Sequence, residues 1–417
     1  MRTDPLFTSA RSDAEVIVVG GAVAGGAVAN ALGCAGVRTL LLEKVSREVH
    51  STRGDLLHPP TLRLLEPWGV LTALHADGAL PITELAVSHA QRGLIARFPT
   101  QAAGDGPAGR TIAVPHDHIE AVLFDCATRW PSVKTQRCVV TGLLRDDSGR
   151  VRGVRARTPG TSEELTFEGR LIVGCDGSQS LVRSELGIEA DPKPYDHEQI
   201  IIGGEGPTEL PAALHWYVDD IGSLCVVSRP RGGFRILLTL PLGARGDLLR
   251  KPDPTLHEYV VGRFPALAPL RFGKANAHLY RLVRYVADRF WAPGAVLVGD
   301  SAHATHPAGA TGMSLAISGA ARLVEHVAPL LLSGAPDVDI DEALAAYEAE
   351  RHPAAVAAVE ANHVQALRIW QSDLFRDPDA YARAIDPSAS WGAAGAGWGT
   401  DPAALSLSRQ SSPLGEP

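Results

Sequence analysis

The 417 residues are 45% apolar and 21% charged, with 39 Lys plus Arg against 47 Asp plus Glu. Such a chain buries a substantial core in two or three domains, and its mean hydropathy near zero excludes a disordered polymer and a polytopic membrane protein alike. A formal charge of −8 without a basic cluster excludes a dedicated nucleic-acid binder, which needs cations to neutralise phosphates. The five cysteines (Cys34, Cys126, Cys138, Cys175, Cys225) are dispersed, with no C-x-x-C pair. Neither a disulfide framework nor a zinc knuckle is expected; a cytoplasmic protein with reduced thiols is.

In chain order, Val16 to Val37 is uncharged over 22 residues, long enough to cross a bilayer, but six of them are glycine. The run divides into a strand over Glu15–Gly20, a turn at Gly20, Gly21 and Gly25, and an Ala-rich helix to about Cys34 closed by Gly36. Arg38–Leu42 predicts a second buried strand with Glu43 at its end, completing a β-α-β unit. Glycines let the backbone approach a pyrophosphate and offer it N–H groups, and a carboxylate about 20 residues on accepts ribose hydroxyls, so the unit predicts dinucleotide binding. Ala22 stands where the second glycine of the fingerprint belongs.

Pro115–Trp130 predicts a helix with Ile119, Leu123 and Cys126 on one face, and alternating strands follow near Lys134–Arg145, Arg150–Thr158 and Glu163–Ile172. Residues 195–284 carry short strands that suggest an antiparallel sheet, with a hairpin turn at Gly203, Gly204 and Gly206. Ala295–Gly299 is another buried parallel strand, followed by a loop and a helix from about Gly312. Residues 340–366 predict a long helix or helix pair, and the Gly, Ala, Ser and Pro of residues 385–417 predict a loosely ordered tail.

Two metal-like spacings are read otherwise. Asp300, His303 and His306 lie on a loop beside Pro307, where ligands three apart do not converge. Asp337, Asp339, Asp341 and Glu348 match a calcium loop except that Glu342 replaces its turn glycine, so helix capping is expected instead. No metal site is expected.

Three segments together resemble the single-component FAD-dependent aromatic hydroxylases, the para-hydroxybenzoate hydroxylase-like flavoprotein monooxygenases. They are the N-terminal β-α-β unit, LIVGCDGSQSLVR from Leu171 to Arg183, and WAPGAVLVGDSAHATHPAGATGMSLA from Trp291 to Ala316. A fourth, RGDLLHP from Arg53 to Pro59, is similar to a segment of squalene-epoxidase-like members. The chain departs from the family at Ser314, usually Asn, at Gly319, usually Asp, and at His116, often Arg.

The resemblance implies an α/β fold with a doubly wound, Rossmann-like FAD-binding domain (residues 14–82, 110–186 and 287–333). It implies an inserted antiparallel-sheet substrate domain (83–109 and 187–286) and a C-terminal helical region (334–384). The implied cofactor-binding residues are Gly20, Gly21, Ala22, Ala24, Gly25, Glu43, Lys44, Arg53, Asp176, Arg183, Asp300, Pro307, Gly309, Gly312 and Met313. Pro307, Gly312 and Arg53 are the candidates nearest the reaction. The implied chemistry uses NADPH or NADH to reduce FAD and dioxygen to form a flavin hydroperoxide that hydroxylates an apolar aromatic or polycyclic substrate. An olefin epoxidase, a flavin-dependent reductase or oxidase, and a silent flavin-binding protein are the alternatives. The strands at 215–218, 224–227 and 234–238 are expected to turn aromatic and β-branched side chains toward a largely apolar aromatic ring or polyene, and a small, highly charged acid would lack a counter-charge unless Arg229, Arg231 or Arg235 turns in. No stable membrane insertion is expected.

Overall fold

A computed structural model describes residues 14–44, 54–100, 106–206, 212–244, 248, 250, 255–273, 277–280, 282–370 and 377–384. Arg53 and the tail from residue 385 lie outside the described residues. The apolar run after Glu15 forms the strand Val16–Val19 with all four side chains buried. A turn leads into the helix Val23–Ala35, which Gly36 ends in a left-handed conformation (φ 80°), and the chain returns as Thr39–Glu43.

These strands lie inside a six-stranded sheet ordered Trp291–Ala292, Ala295–Leu297, Leu171–Gly174, Val16–Val19, Thr39–Glu43, Val133–Arg137. All pairings are parallel except the Trp291–Ala292 edge. Helices cover a parallel sheet on both faces, which is why its strands read as unbroken apolar runs. The Val23–Ala35 helix packs on His116–Ala127 through small residues: a Cβ on Gly26 would lie 2.9 Å from Leu123 Cβ. Buried Asn30 donates to Leu123 O at 2.7 Å, so its amide costs little.

Two expected strands are each two. The chain breaks at Cys138, whose N–H bonds Glu43 O, and resumes as Val139–Arg145 in a separate three-stranded antiparallel sheet. It breaks again at Gly169 between Glu164–Glu168 and Leu171–Gly174.

The second large sheet has seven strands: Ala277–Tyr280, His197–Glu205, Gly233–Pro241, Ser223–Ser228, Ala213–Val218, Glu84–His89, Gly93–Pro99. It is antiparallel except where Ala213–Val218 meets Glu84–His89 in parallel. Gly203 and Gly204 do not form the expected hairpin turn. They continue the strand, paired with Arg235 and Phe234, and Gly204 has no room for a side chain, since a Cβ there would lie 2.5 Å from the Phe234 ring and 2.4 Å from Arg271 O.

Gly312–Ser333 is long and apolar enough to cross a membrane by composition, yet 67% of its most apolar window is buried in the protein. It packs against Val23–Ala35 and against Asp337–Trp370, one continuous helix that contains Pro353. That helix is clasped at its start: Asp337 accepts from Arg152 and Arg170, and Asp341 from Arg150 and Gly294 N. These carboxylates and Glu348, which accepts from Phe290 N, are thus engaged in tethering rather than turned toward one another.

Candidate functional site

The site is built where parallel strands end. At the end of Val16–Val19, Gly20 takes φ +99°, and a Cβ there would lie 2.5 Å from Cys175 O. A Cβ on Gly25 would fall 1.7 Å from Gly20 O, so only glycine lets the turn close. Ala22 fills the N-cap position of the Val23–Ala35 helix without a side-chain cap, and no acid stands in the first turn. The first intrahelical bond is Gly26 N to Ala22 O, so the earlier N–H groups and the helix dipole are available to an anion. Glu43, at the end of the neighbouring strand, accepts from Gly21 N–H and is thereby fixed at the rim of this cradle. The donors and the carboxylate suit a pyrophosphate and a ribose, and FAD fits them. Glu43→Ala should weaken FAD binding by about 1–3 kcal/mol, a 5- to 150-fold rise in Kd by FAD titration of the apoprotein. Lys44 follows on the exposed surface.

The other two segments close on the same edge. Gly299 (φ +74°) comes so near that a Cβ would lie 2.7 Å from Ala24 Cβ. Asp300 occupies the turn Gly299–Ser301 directly after the Ala295–Leu297 strand. Asp176 turns its carboxylate to Ser180 Oγ (2.5 Å) and Val182 N (3.1 Å), starting the short helix Leu181–Glu185. Arg183 donates to Ser178 O and Ser301 O, each at 2.8 Å, and lies over the Tyr285 ring. Arg183 therefore stitches the second segment to the third, while Asp176 braces the second from within.

The third segment ends in a latched turn. His306 Nδ1 accepts from Ala308 N at 3.0 Å, and Ala310 holds a left-handed φ of 50° that costs a non-glycine residue about 1 kcal/mol. Asn362, from the long C-terminal helix, donates to the Thr305 and Thr311 hydroxyls, and its Oδ1 sits where a Gly309 Cβ would be, 2.1 Å away. His58 lies 3.1 Å from Thr111 Oγ1 and 3.4 Å from Gly309 O. Beyond the turn, Gly312 opens a 22-residue helix with no side-chain cap and no acid in its first turn, a second N-terminus able to favour negative charge. Met313 packs partly into the core. Ser314 pairs with Thr61 Oγ1 at 2.7 Å, and the missing side chain of Gly319 makes room for the Tyr347 hydroxyl.

Burial pushes His58 and His303 down to about 4, with the Gly309 bond opposing it in the first and Asp300 in the second. Unfolded, both imidazoles titrate near 6.5, so between these values the unfolded chain binds more protons. Stability should therefore fall as pH drops from about 6.5 toward 4, by up to about 1.4 kcal/mol per unit for each histidine. Thermal melts at pH 7.5 and 5 check this; equal melting temperatures would show ordinary titration.

The seven-stranded sheet turns one face to this turn. Leu214, Trp216, Cys225 and Val227 belong to one buried cluster, against which Leu237, Ala308 and Ala310 pack. The expected distribution is corrected here: Phe234, Ile236, Leu238, Leu224 and Val226 point the other way, onto the helix Thr255–Arg263. Strand alternation sends neighbouring residues to opposite faces, so only half of each apolar run looks toward the turn. Arg235, opposite Val227 in the register, shares that face. It is 4% exposed, and its Nε lies 3.1 Å from Asp55, whose two oxygens already accept from Arg229 at 2.7 and 2.8 Å. Arg235 Nε and Nη1 are buried without a hydrogen-bond partner, and burial lowers Arg235 to about 10. Two guanidiniums against one carboxylate leave an inward-facing positive charge.

Sequence reasoning missed Asp55, His58, Asn362 and Tyr285. The first two lie in the quoted RGDLLHP segment, where the acid was a signal; Asn362 had none. His116 lies 3.0 Å from Gly54 O and 3.3 Å from Glu120.

A family model described as FAD binding domain matches residues 13–362. Rifampicin monooxygenase of Streptomyces venezuelae is 28% identical over 372 residues, covering 84% of this chain and 71% of the relative. Squalene epoxidase of Schizosaccharomyces pombe is 26% identical over 339 residues, 79% and 72% of the two chains. Among solved structures, PqsL of Pseudomonas aeruginosa, described as a probable FAD-dependent monooxygenase, superposes with a TM-score of 0.75 at 24% identity. The match covers 89% of this chain and 99% of that one, a likeness of fold.

Proposed function

The chain belongs to the FAD binding domain family and is a flavoprotein monooxygenase, and from that premise we propose that it hydroxylates an apolar aromatic substrate at the expense of NADH or NADPH. Bound FAD would supply the redox chemistry, taking electrons from the nicotinamide and activating dioxygen. The chain supplies the rest. Gly20 to Gly25 and Glu43 would hold the dinucleotide, and Arg183 keeps the Asp176 and Asp300 loops together. The N-terminus of the Gly312 helix would stabilise negative charge at the redox-active end, and the buried sheet face excludes water.

The observation that carries the substrate reading is that face: Leu214, Trp216, Cys225, Val227 and Leu237 share it with the buried guanidinium of Arg235. It suits a ring system bearing one acceptor oxygen, such as a phenol or aromatic carboxylate, rather than a bare hydrocarbon. Naphthalene, 2-naphthol, 2-naphthoate and an aliphatic olefin, each scored for stimulated nicotinamide oxidation and oxygenated product, form the test. The oxygen-bearing rings should stimulate most, and Arg235→Met should raise their KM about tenfold or more. Stimulation only by small polyanionic acids would overturn the reading. An epoxide from the olefin would instead place the protein in the branch to which its squalene-epoxidase relatives point.

A further inference from the structure

Behind the latched turn runs a chain of side chains that the flavin reading does not use. Asp196 Oδ1 lies 2.9 Å from His197 Nδ1, and His197 Nε2 lies 3.0 Å from His306 Nε2. His306 Nδ1 accepts from Ala308 N. Both imidazoles are buried, while the Asp196 side chain is 77% exposed. The chain thus runs from the surface to the backbone of the turn.

One backbone group assigns every proton in it. A peptide N–H can only donate, so His306 Nδ1 carries a lone pair and its proton is on Nε2. That proton can be given only to His197 Nε2, so the His197 proton is on Nδ1, where Asp196 accepts it. Adding one proton to the imidazole pair destroys this order wherever it settles. On His306 it occupies Nδ1. On His197 it occupies Nε2, which obliges His306 to accept there and move its own proton to Nδ1. Either way an N–H comes to face the Ala308 N–H.

We infer that Asp196, His197 and His306 are positioning residues that hold the Pro307–Gly309 turn in place only while both imidazoles are neutral, so that one added proton releases it. The inference rests on the flavin reading for its effect on catalysis, but not for its geometry. Burial lowers both histidines. Asp196 favours a proton on His197, and His363 disfavours one on either. The other groups facing the cluster are Arg284, over the Tyr195 ring, Glu360, and Tyr195 itself, which burial raises to about 12. Tyr195 stands edge-on to His306 at 4.7 Å and Trp370 stacks on His197 at 5.1 Å, so neither ring can turn away freely. On the far side of the turn, His58 approaches Gly309 O.

The test uses the FAD-loaded protein labelled with ¹⁵N-histidine and followed from pH 8 downward until the ring-nitrogen shifts show the pair taking its proton. The ring-nitrogen shifts should show the Nε2–H form of His306 and the Nδ1–H form of His197 at pH 8. Exchange protection of the Ala308 amide should disappear as the pair takes its proton. His306→Asn offers an acceptor oxygen near the position of Nδ1 and cannot titrate, so it should keep Ala308 protected through the same range. His306→Phe should lose protection at every pH. Flavin reduction by nicotinamide should fall about tenfold per pH unit below the transition, and Asp196→Asn should move that limb to lower pH. The opposite tautomers, or Ala308 protection unchanged through the titration, would overturn the inference. A protein that neither binds FAD nor oxidises nicotinamide would sink the functional reading, and the tautomers measured without FAD would still decide this one.

Discussion

Gly25→Ala should abolish FAD retention and cost about 3 kcal/mol or more of stability. The added Cβ would lie 1.7 Å from the Gly20 carbonyl oxygen, and both are backbone of one turn, so no side chain can yield. Relief would require moving the strand end or the helix start, and either movement opens the cradle. Gly36→Ala is the contrast: φ is +80° but nothing lies within 4 Å, so it should cost only about 1 kcal/mol and leave FAD bound. Flavin absorbance after gel filtration and urea unfolding of each apoprotein check both. A yellow, fully stable Gly25→Ala protein would refute the close approach.

The second large effect is expected at Asp55. Its side chain is fully buried between Arg229 and Arg235, and removing it takes away the carboxylate in contact with both guanidiniums. Asp55→Ala should destabilise by about 3–5 kcal/mol. Arg235→Met should cost far less, because Arg235 already has two unpartnered donors, and the apolar isostere relieves them. Denaturant midpoints of the two variants give the ordering. Equal losses would mean that Arg235 is a structural partner of Asp55 rather than a charge kept for a ligand.

The nucleotide half was legible in the sequence because its signals are local. A buried parallel strand announces itself as VIVV, a left-handed turn as Gly20, and a rim carboxylate as Glu43, all within one β-α-β unit. The strands after Val133 were less legible, since two changes of sheet, at Cys138 and Gly169, interrupt them without a proline or a turn cluster. The apolar sheet face beside Trp216 was the least legible. FRILL reads as one apolar run, but alternation hands Phe234 and Ile236 to one core and Arg235 and Leu237 to the other face. Which face looks toward the Pro307–Gly309 turn depends on how two distant parts of the chain pack, and no local pattern records that. The latch of Asn362 on Thr305 and Thr311 spans 57 and 51 residues and is invisible for the same reason.

The helix Asp337–Trp370 and the short helix Pro378–Ala384 also set the order in which the site can be finished. Asn362 holds the turn, and Tyr381 is buried edge-on to Trp216 in the cluster beneath it. As the chain leaves the ribosome, the dinucleotide cradle at its start emerges first and has most of its parallel neighbours by Leu297. Its last fastenings are still to be synthesised at that moment. A nascent chain can therefore present the glycine-rich edge while the Pro307–Gly309 turn is still unfastened, and the turn is completed only after Tyr381 has been translated.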